Sequence, residues 1–164
     1  QWVQGPQTEL LEAILEVAPA GKIVAEDLGI IPQSVVELRK QNGISGMAVL
    51  HFANDDVDNP HNPENHTEDM VVYTGTHDND TTVGWGKKPV MDLIQAALNS
   101  PATLAIIPLQ DVMGLGSEAR MNTPGTKSGN WSWQFQWSEI DAETVIRFSE
   151  MVSQSKRNHN QFDN

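Results

Sequence analysis

The sequence predicts an α/β fold built on a parallel sheet with crossover helices, and three observations carry that prediction. Short apolar, β-branched runs alternate with helical patterns about four times, at spacings of roughly 25 to 30 residues. The runs are apolar on consecutive residues rather than on alternate ones, as strands buried on both faces are. Each run then breaks into polar side chains, at Glu26, His51, His77 and Gln110. These strand ends would share one edge of the sheet, where a (β/α) protein keeps its reactive groups.

Taken in order, Gln7 to Val17 carries Leu10, Leu11, Ile14 and Leu15 at helical spacing and stops at Pro19 and Gly21, which predicts a helix. Lys22 to Ala25 is short and β-branched and reads as a buried strand with Glu26 and Asp27 at its mouth. A short helix follows over Ser34 to Lys40, ended by Asn42-Gly43. Gly46 to Phe52 is the second strand, and the Asn- and Pro-rich stretch from Asn54 to Asp69 is one long loop on the side of Glu26. Val71 to Thr74 is the third strand, with Met91, Ile94 and Leu98 marking the helix after it. Ala102 to Ile107 is the fourth strand. Residues 117 to 138 show little periodicity and read as an irregular loop packed by Trp131, Trp133 and Trp137. Asp141 caps a last helix with Val145, Phe148 and Val152 on one face, so the domain is expected over 1–157 with a polar tail over 158–164.

Composition narrows the partners. With 38% hydrophobic residues in 164 the chain can build one core. A net charge of -12 and a pI near 4.6 argue against nucleic acid and anionic membrane, both of which need clustered Lys and Arg. The absence of cysteine favours a reducing, cytoplasmic setting. No run of about 18 apolar residues and no signal-peptide pattern is present. The sequence starts at Gln1 rather than Met, which is expected of a piece of something longer.

Carboxylates from different strands facing one cleft suit glycoside chemistry, in which one acid protonates the leaving oxygen while another carboxylate meets the positive charge developing on the sugar. Glu26, between Ile23-Val24-Ala25 and Leu28, is expected to be partly desolvated, which would raise its pKa toward that of a general acid. Asp27 points the other way along an extended chain and suits a structural role, such as pairing with a backbone donor. Asp78 suits a carboxylate that stays ionised, and His77 beside it can hydrogen-bond a sugar hydroxyl. The tryptophans are packing residues by default, and Trp85, seven residues after Asp78, is the preferred candidate for stacking under a sugar ring.

A metal site is the rival reading, through Asn54, Asp55, Asp56, Asp58 and Asn59 or through His77, Asp78 and Asp80. The first set lacks the Gly and bidentate Glu of a calcium loop and the second lacks a helical His pair, so no metal is expected. No Walker loop, dinucleotide fingerprint or nucleophile elbow is present, so no phosphoryl, hydride or serine chemistry and no organic cofactor is expected.

Four ordered motifs add a resemblance. Ala25-Glu26-Asp27-Leu28-Gly29, the run Thr74-Gly75-Thr76-His77-Asp78-Asn79-Asp80-Thr81-Thr82-Val83-Gly84-Trp85, Arg120-Met121-Asn122-Thr123-Pro124-Gly125 and Asn130-Trp131-Ser132-Trp133 together resemble the C-terminal half of the 4-α-glucanotransferases, the amylomaltase or disproportionating-enzyme family. The resemblance implies a (β/α)8 TIM barrel of the α-amylase-related type, of which this chain would supply roughly the last four β-α units. It implies that Glu26 is the general acid/base, Asp78 the transition-state stabiliser and His77 its sugar-binding neighbour, and that Asn122 lines the substrate groove. The implied partners are α-1,4-glucans, a glucose acceptor and the N-terminal half of the same enzyme.

The nucleophilic aspartate of the family lies in an Arg-x-Asp motif upstream of the acid/base, and no such motif occurs between Gln1 and Ala25. The chain alone is therefore expected to be inactive, since covalent glycosyl transfer needs a nucleophile opposite the acid. A noncatalytic glucan-binding or structural module and an α-amylase-type hydrolase stay open as alternatives.

Overall fold

The computed structural model describes residues 3, 5–155 and 157, so the expected tail at 158–164 lies outside the described residues. Three parallel strands form the sheet in the order β1 (Gly46–Val49), β2 (Met70–Tyr73) and β3 (Leu104–Ile106). The register pairs Val49 with Tyr73 and Tyr73 with Ile106, so the strands end level with one another. Six α-helices accompany them: α1 (Thr8–Leu15), α2 (Gln33–Gln41), α3 (Thr82–Trp85), α4 (Val90–Asn99), α5 (Leu109–Val112) and α6 (Ala142–Gln154).

The core sits between the sheet and α4. Ala48, Leu50 and Val72 meet Leu93, Ala97 and Ala102, with Met70, Trp85 and Ile107 packed at the margin. Leu93, Ile94, Ala97 and Leu98 form the buried stripe of α4, and each of its larger aliphatic side chains contributes about 1.5–3 kcal/mol on burial. By contrast α1 buries no residue fully, and α6 buries only Thr144. The expected face of α6 is half realised: Phe148 and Val152 are partly covered while Val145 is 55% exposed. Its cap is as expected, with the Asp141 carboxylate accepting from the Thr144 N–H at 2.7 Å.

The first expected strand is not one. Ala20–Lys22 curls into a 3-10 turn, and only Val24 bridges, in parallel, to Ser45. A strand is defined by its ladder, and one bridge is what the neighbours within this chain provide. Leu104 and Ile106 on β3 are 45% and 39% exposed, so the far edge of the sheet is bare as well.

Candidate active-site cleft

The loop that leaves β2 is fixed from beneath by one buried carboxylate. Asp111, on α5, is 1% exposed and accepts from the Thr74 hydroxyl at 2.5 Å, the Thr82 N–H at 2.7 Å and the Thr82 hydroxyl at 2.8 Å. Thr74 directly follows β2 and Thr82 begins α3, so a single side chain clamps both ends of the segment that carries His77 and Asp78. Because the Thr82 hydroxyl gives its proton to Asp111, it accepts from His51 Nε2 at 3.0 Å, which leaves His51 Nδ1 bare. That atom is buried without a partner, and burial lowers the His51 pKa, with the charges of Asp111 and Asp80 opposing.

A second loop holds the segment from the side. Arg120 donates from Nη2 to the Asp78 carbonyl at 2.7 Å and from Nε to the Asn122 carbonyl at 2.8 Å. The Asn122 N–H reaches the His77 carbonyl at 3.1 Å, and its side-chain amide donates to Asp78 Oδ1 at 2.5 Å. His77 Nε2 lies 3.3 Å from the same oxygen. Within the loop, Thr76 donates through N–H and hydroxyl to Asn79 Oδ1, at 2.8 and 2.9 Å. The side chain of Asp78 is thus aimed by two neighbours while remaining 46% exposed.

Glu26 is held differently. Its neighbours anchor the backbone: the Ala25 N–H donates to the Ser45 carbonyl at 2.8 Å, and Asp27 Oδ1 accepts from the Met47 N–H at 2.7 Å. Asp27 Oδ2 also stands 3.2 Å from Nε of Arg39, which is 5% exposed and caps the carbonyls of Ile44 and Asp69. The structural role expected of Asp27 is therefore the one it has. This ion pair lies directly over Gly46, where a Cβ would overlap the Asp27 carboxylate and come within 2.9 Å of Arg39 Cζ. The Glu26 side chain itself is exposed, not partly desolvated as expected, because the 20–25 segment has formed a turn and a bridge instead of a covered strand.

Both carboxylates line one cleft of about 940 Å3, with His61, Tyr73, His77 and Trp131 among its walls. The volume suits an oligomeric small ligand. Burial lifts the Tyr73 phenol above its usual pKa and the negative charge of Glu26 adds to the effect, so this hydroxyl is held as a neutral donor near Glu26. His61 accepts the Val49 N–H on Nδ1 at 3.1 Å, and burial lowers its pKa, with the Asp27 charge opposing. The walls therefore combine aromatic surface with hydroxyl, imidazole and carboxylate groups.

The expected role of Trp85 is corrected by its position. Thr81 caps α3 by accepting the Gly84 N–H at 3.0 Å, and this turn directs Trp85 away from the cleft to stack on the buried His51 at 4.3 Å between ring centroids, with an interplanar angle of 10°. It closes the core edge. The tryptophan at the cleft is Trp131, whose ring lies 5.0 Å from His77. Asp111 and Arg120 are the residues that sequence reasoning missed, and the signal for Asp111 was its own place at a strand end beside Gln110. Of the four expected strand-end groups, Glu26, His77 and Gln110 line the cleft and His51 lies beneath it. Among the described residues no group of three or more His, Asp or Glu side chains is placed to hold a metal ion, and no helix is long and apolar enough to cross a membrane.

Comparison with known proteins decides the family. The 4-alpha-glucanotransferase family model matches residues 1–91 and 86–140. The chain belongs to the 4-alpha-glucanotransferase family. It is 46% identical over 168 aligned residues to the chloroplastic/amyloplastic 4-alpha-glucanotransferase of Solanum tuberosum, covering 87% of this chain and 29% of that one. It is 40% identical over 185 to the 4-alpha-glucanotransferase of Thermus thermophilus, covering 96% and 37%. An amylomaltase from Streptococcus agalactiae, solved in complex with acarbose, superposes with a TM-score of 0.87 at 25% identity over 96% of this chain and 36% of that one. The chain thus spans about a third of the length of these 4-alpha-glucanotransferases, and its parallel sheet and helices are those of a portion of the amylomaltase fold.

Proposed function

We propose that this chain carries the acid/base half of a retaining 4-α-glucanotransferase reaction, within a (β/α)8 barrel completed by an N-terminal half that holds the nucleophile. The observation that carries the reading is that Glu26, after the Val24 bridge at the β1 edge, and Asp78, after the central strand β2, line one cleft with His77, and that Asn122 is bonded to Asp78. Glu26 protonates the glycosidic oxygen of an α-1,4-glucan as the bond breaks, and a carboxylate from the other half takes the sugar as a covalent glycosyl-enzyme. Glu26 then deprotonates the 4-hydroxyl of an acceptor glucan or glucose, which displaces the enzyme carboxylate. Asp78 keeps its negative charge toward the oxocarbenium-like transition state, and the amide of Asn122 holds it in that orientation. A cytoplasmic setting belongs to the same proposal, on the absence of cysteine, although the Solanum relative is named for plastids.

The test is disproportionation of maltotriose into glucose and longer malto-oligosaccharides. The chain alone is expected to be inactive and the protein containing both halves active. In that protein Glu26→Gln is expected to lower kcat by about 10²–10⁴. Transfer by the isolated chain, or a Glu26→Gln enzyme of full activity, would overturn the assignment.

A further inference from the structure

The aromatic residues after the second loop occupy alternate positions, Trp131, Trp133, Phe135 and Trp137, in an irregular stretch that ends where Trp137 opens a 3-10 turn. They do not bury one another. Trp131 is 60% exposed and Trp137 80% exposed, whereas the sequence pattern called for a loop packed on its own tryptophans. The last three rings are nonetheless contiguous: Trp133 stacks on Phe135 at 5.7 Å and 17°, and Phe135 meets Trp137 edge to face at 5.1 Å. The first of the four, Trp131, lines the cleft beside His77, and the chain leads from it in two residues to the cluster of three.

Trp131 is also held in the left-handed region at φ 58, which a bulky side chain avoids. The Trp131 N–H donates to the Met121 carbonyl at 2.7 Å, one residue from Asn122, and so fixes that conformation to the loop that orients Asp78. Backbone held in a sparsely populated region is concentrated at ligand sites. The residues between the rings, Ser132, Gln134 and Gln136, are exposed and uncharged and can donate and accept hydrogen bonds.

We infer that residues 131–137 form an aromatic track that binds an α-glucan chain where it leaves the cleft. The inference rests on the cleft being a glucan site and extends it to a specificity for chain length. A glucan suits the track because each sugar ring presents an apolar face of C–H groups to an aromatic plane while its hydroxyls point sideways, toward groups such as Ser132 and the glutamines. Because Trp131 lines the cleft and the chain runs straight from it into the other three rings, the occupant of the track is the polymer in the cleft and not an unrelated partner.

Calorimetric titration of the purified full chain with maltotriose and with maltoheptaose tests it, circular dichroism verifying that each variant is folded. The unmodified chain is expected to bind maltoheptaose more tightly than maltotriose. Trp137→Ala, at an exposed position, should remove about two- to tenfold of that gain and leave maltotriose affinity unchanged. An undiminished gain in Trp137→Ala and in Phe135→Ala would overturn the track. So would association of two copies that Trp137→Ala disrupts without altering glucan affinity. Maltoheptaose binding that Trp137→Ala weakens, in a chain that does not bind maltotriose, would keep the track and overturn the cleft reading. Failure to bind either sugar would overturn both.

Discussion

The two sides of the cleft are built to different degrees of completeness. Asp78 sits in a segment clamped at both ends by Asp111, tied across to Arg120 and Asn122, and bonded internally through Thr76 and Asn79. Glu26 sits on a segment with one β-bridge and one anchoring ion pair, and its side chain accepts no hydrogen bond among the described residues. The difference is one of neighbours. The Asp78 loop is enclosed by the end of β2, α3, α5 and the 120–122 loop, all within this chain. The Glu26 segment lies where the sheet stops at Ser45, and about two thirds of the length of the relatives lies outside this chain. Asp78 is thus set by neighbours within its own chain, whereas Glu26 has few of them.

The largest effect should come from removing the clamp on the complete side. Asp111→Ala leaves the Thr74 hydroxyl and both donors of Thr82 unpaired in a site that is 1% exposed. At about 1–3 kcal/mol for a buried unsatisfied group, the expected loss is about 3–5 kcal/mol in denaturant unfolding. Asp111→Asn keeps one acceptor but turns an amide toward donors, and should fall between the two. A loss below about 1 kcal/mol for the alanine variant would mean that the segment is held mainly by Arg120 and Asn122.

On the incomplete side the corresponding change is Asp27→Ala, which leaves Arg39 with Asp69 as its remaining carboxylate and frees the Met47 N–H. Losing one of two partners of a buried cation should cost about 2–4 kcal/mol, less than breaking an isolated buried pair because Asp69 still compensates. Amide exchange distinguishes the two sides: in Asp27→Ala, protection should fall at Ala25 and Met47 and persist at Thr82. Loss of protection at Thr82 as well would show that the two sides fold as one unit.

The same contrast explains what was legible in the sequence. Runs at 46–52, 71–74 and 102–107 read as strands through their unbroken apolar signature, and β1, β2 and β3 lie within or one residue outside them, although β3 is half bare in this chain. The run at 22–25 has that composition too, but its pairing is limited to Val24, which no local pattern reveals. Asp27 was legible from alternation along an extended chain, while Asn122 and His77 both meet Asp78 Oδ1, Asn122 without lining the cleft. Trp85 was not, because proximity in sequence to Asp78 ignores the rotation that the Thr81 cap imposes through α3. Asp111 was hidden for a different reason: its partners stand 37 and 29 residues upstream, and only the fold brings them within hydrogen-bond distance.

The smallest and most graded effect should appear on acidification, since both sides rest on histidines kept neutral by burial. His51 lies under the Asp78 loop, and His61 stands on the Glu26 side with its Nδ1 occupied by the Val49 N–H. His66 has its Nδ1 2.8 Å from the Ser100 hydroxyl and its Nε2 3.3 Å from the His61 carbonyl, so the two are joined. All three pKa values lie below the ordinary 6.5, each chiefly through burial. A histidine of depressed pKa takes up its proton more readily in the unfolded chain, so its contribution to stability is complete above about pH 6.5 and is lost as the pH falls through the folded value. Protonation of His51 would place an N–H at the buried Nδ1 facing no acceptor, while protonation of His61 must break the bond that ends β1. Denaturation midpoints measured from pH 8 downward should therefore stay level and then decline below about 6.5. Carbon-bound imidazole proton shifts will assign the decline to a side: a His61 signal that titrates before His51 means that the Glu26 side loosens first. Stability that rises on acidification through that range would show that these rings are charged in the native chain, and the neutral tautomers derived from their hydrogen bonds would be wrong.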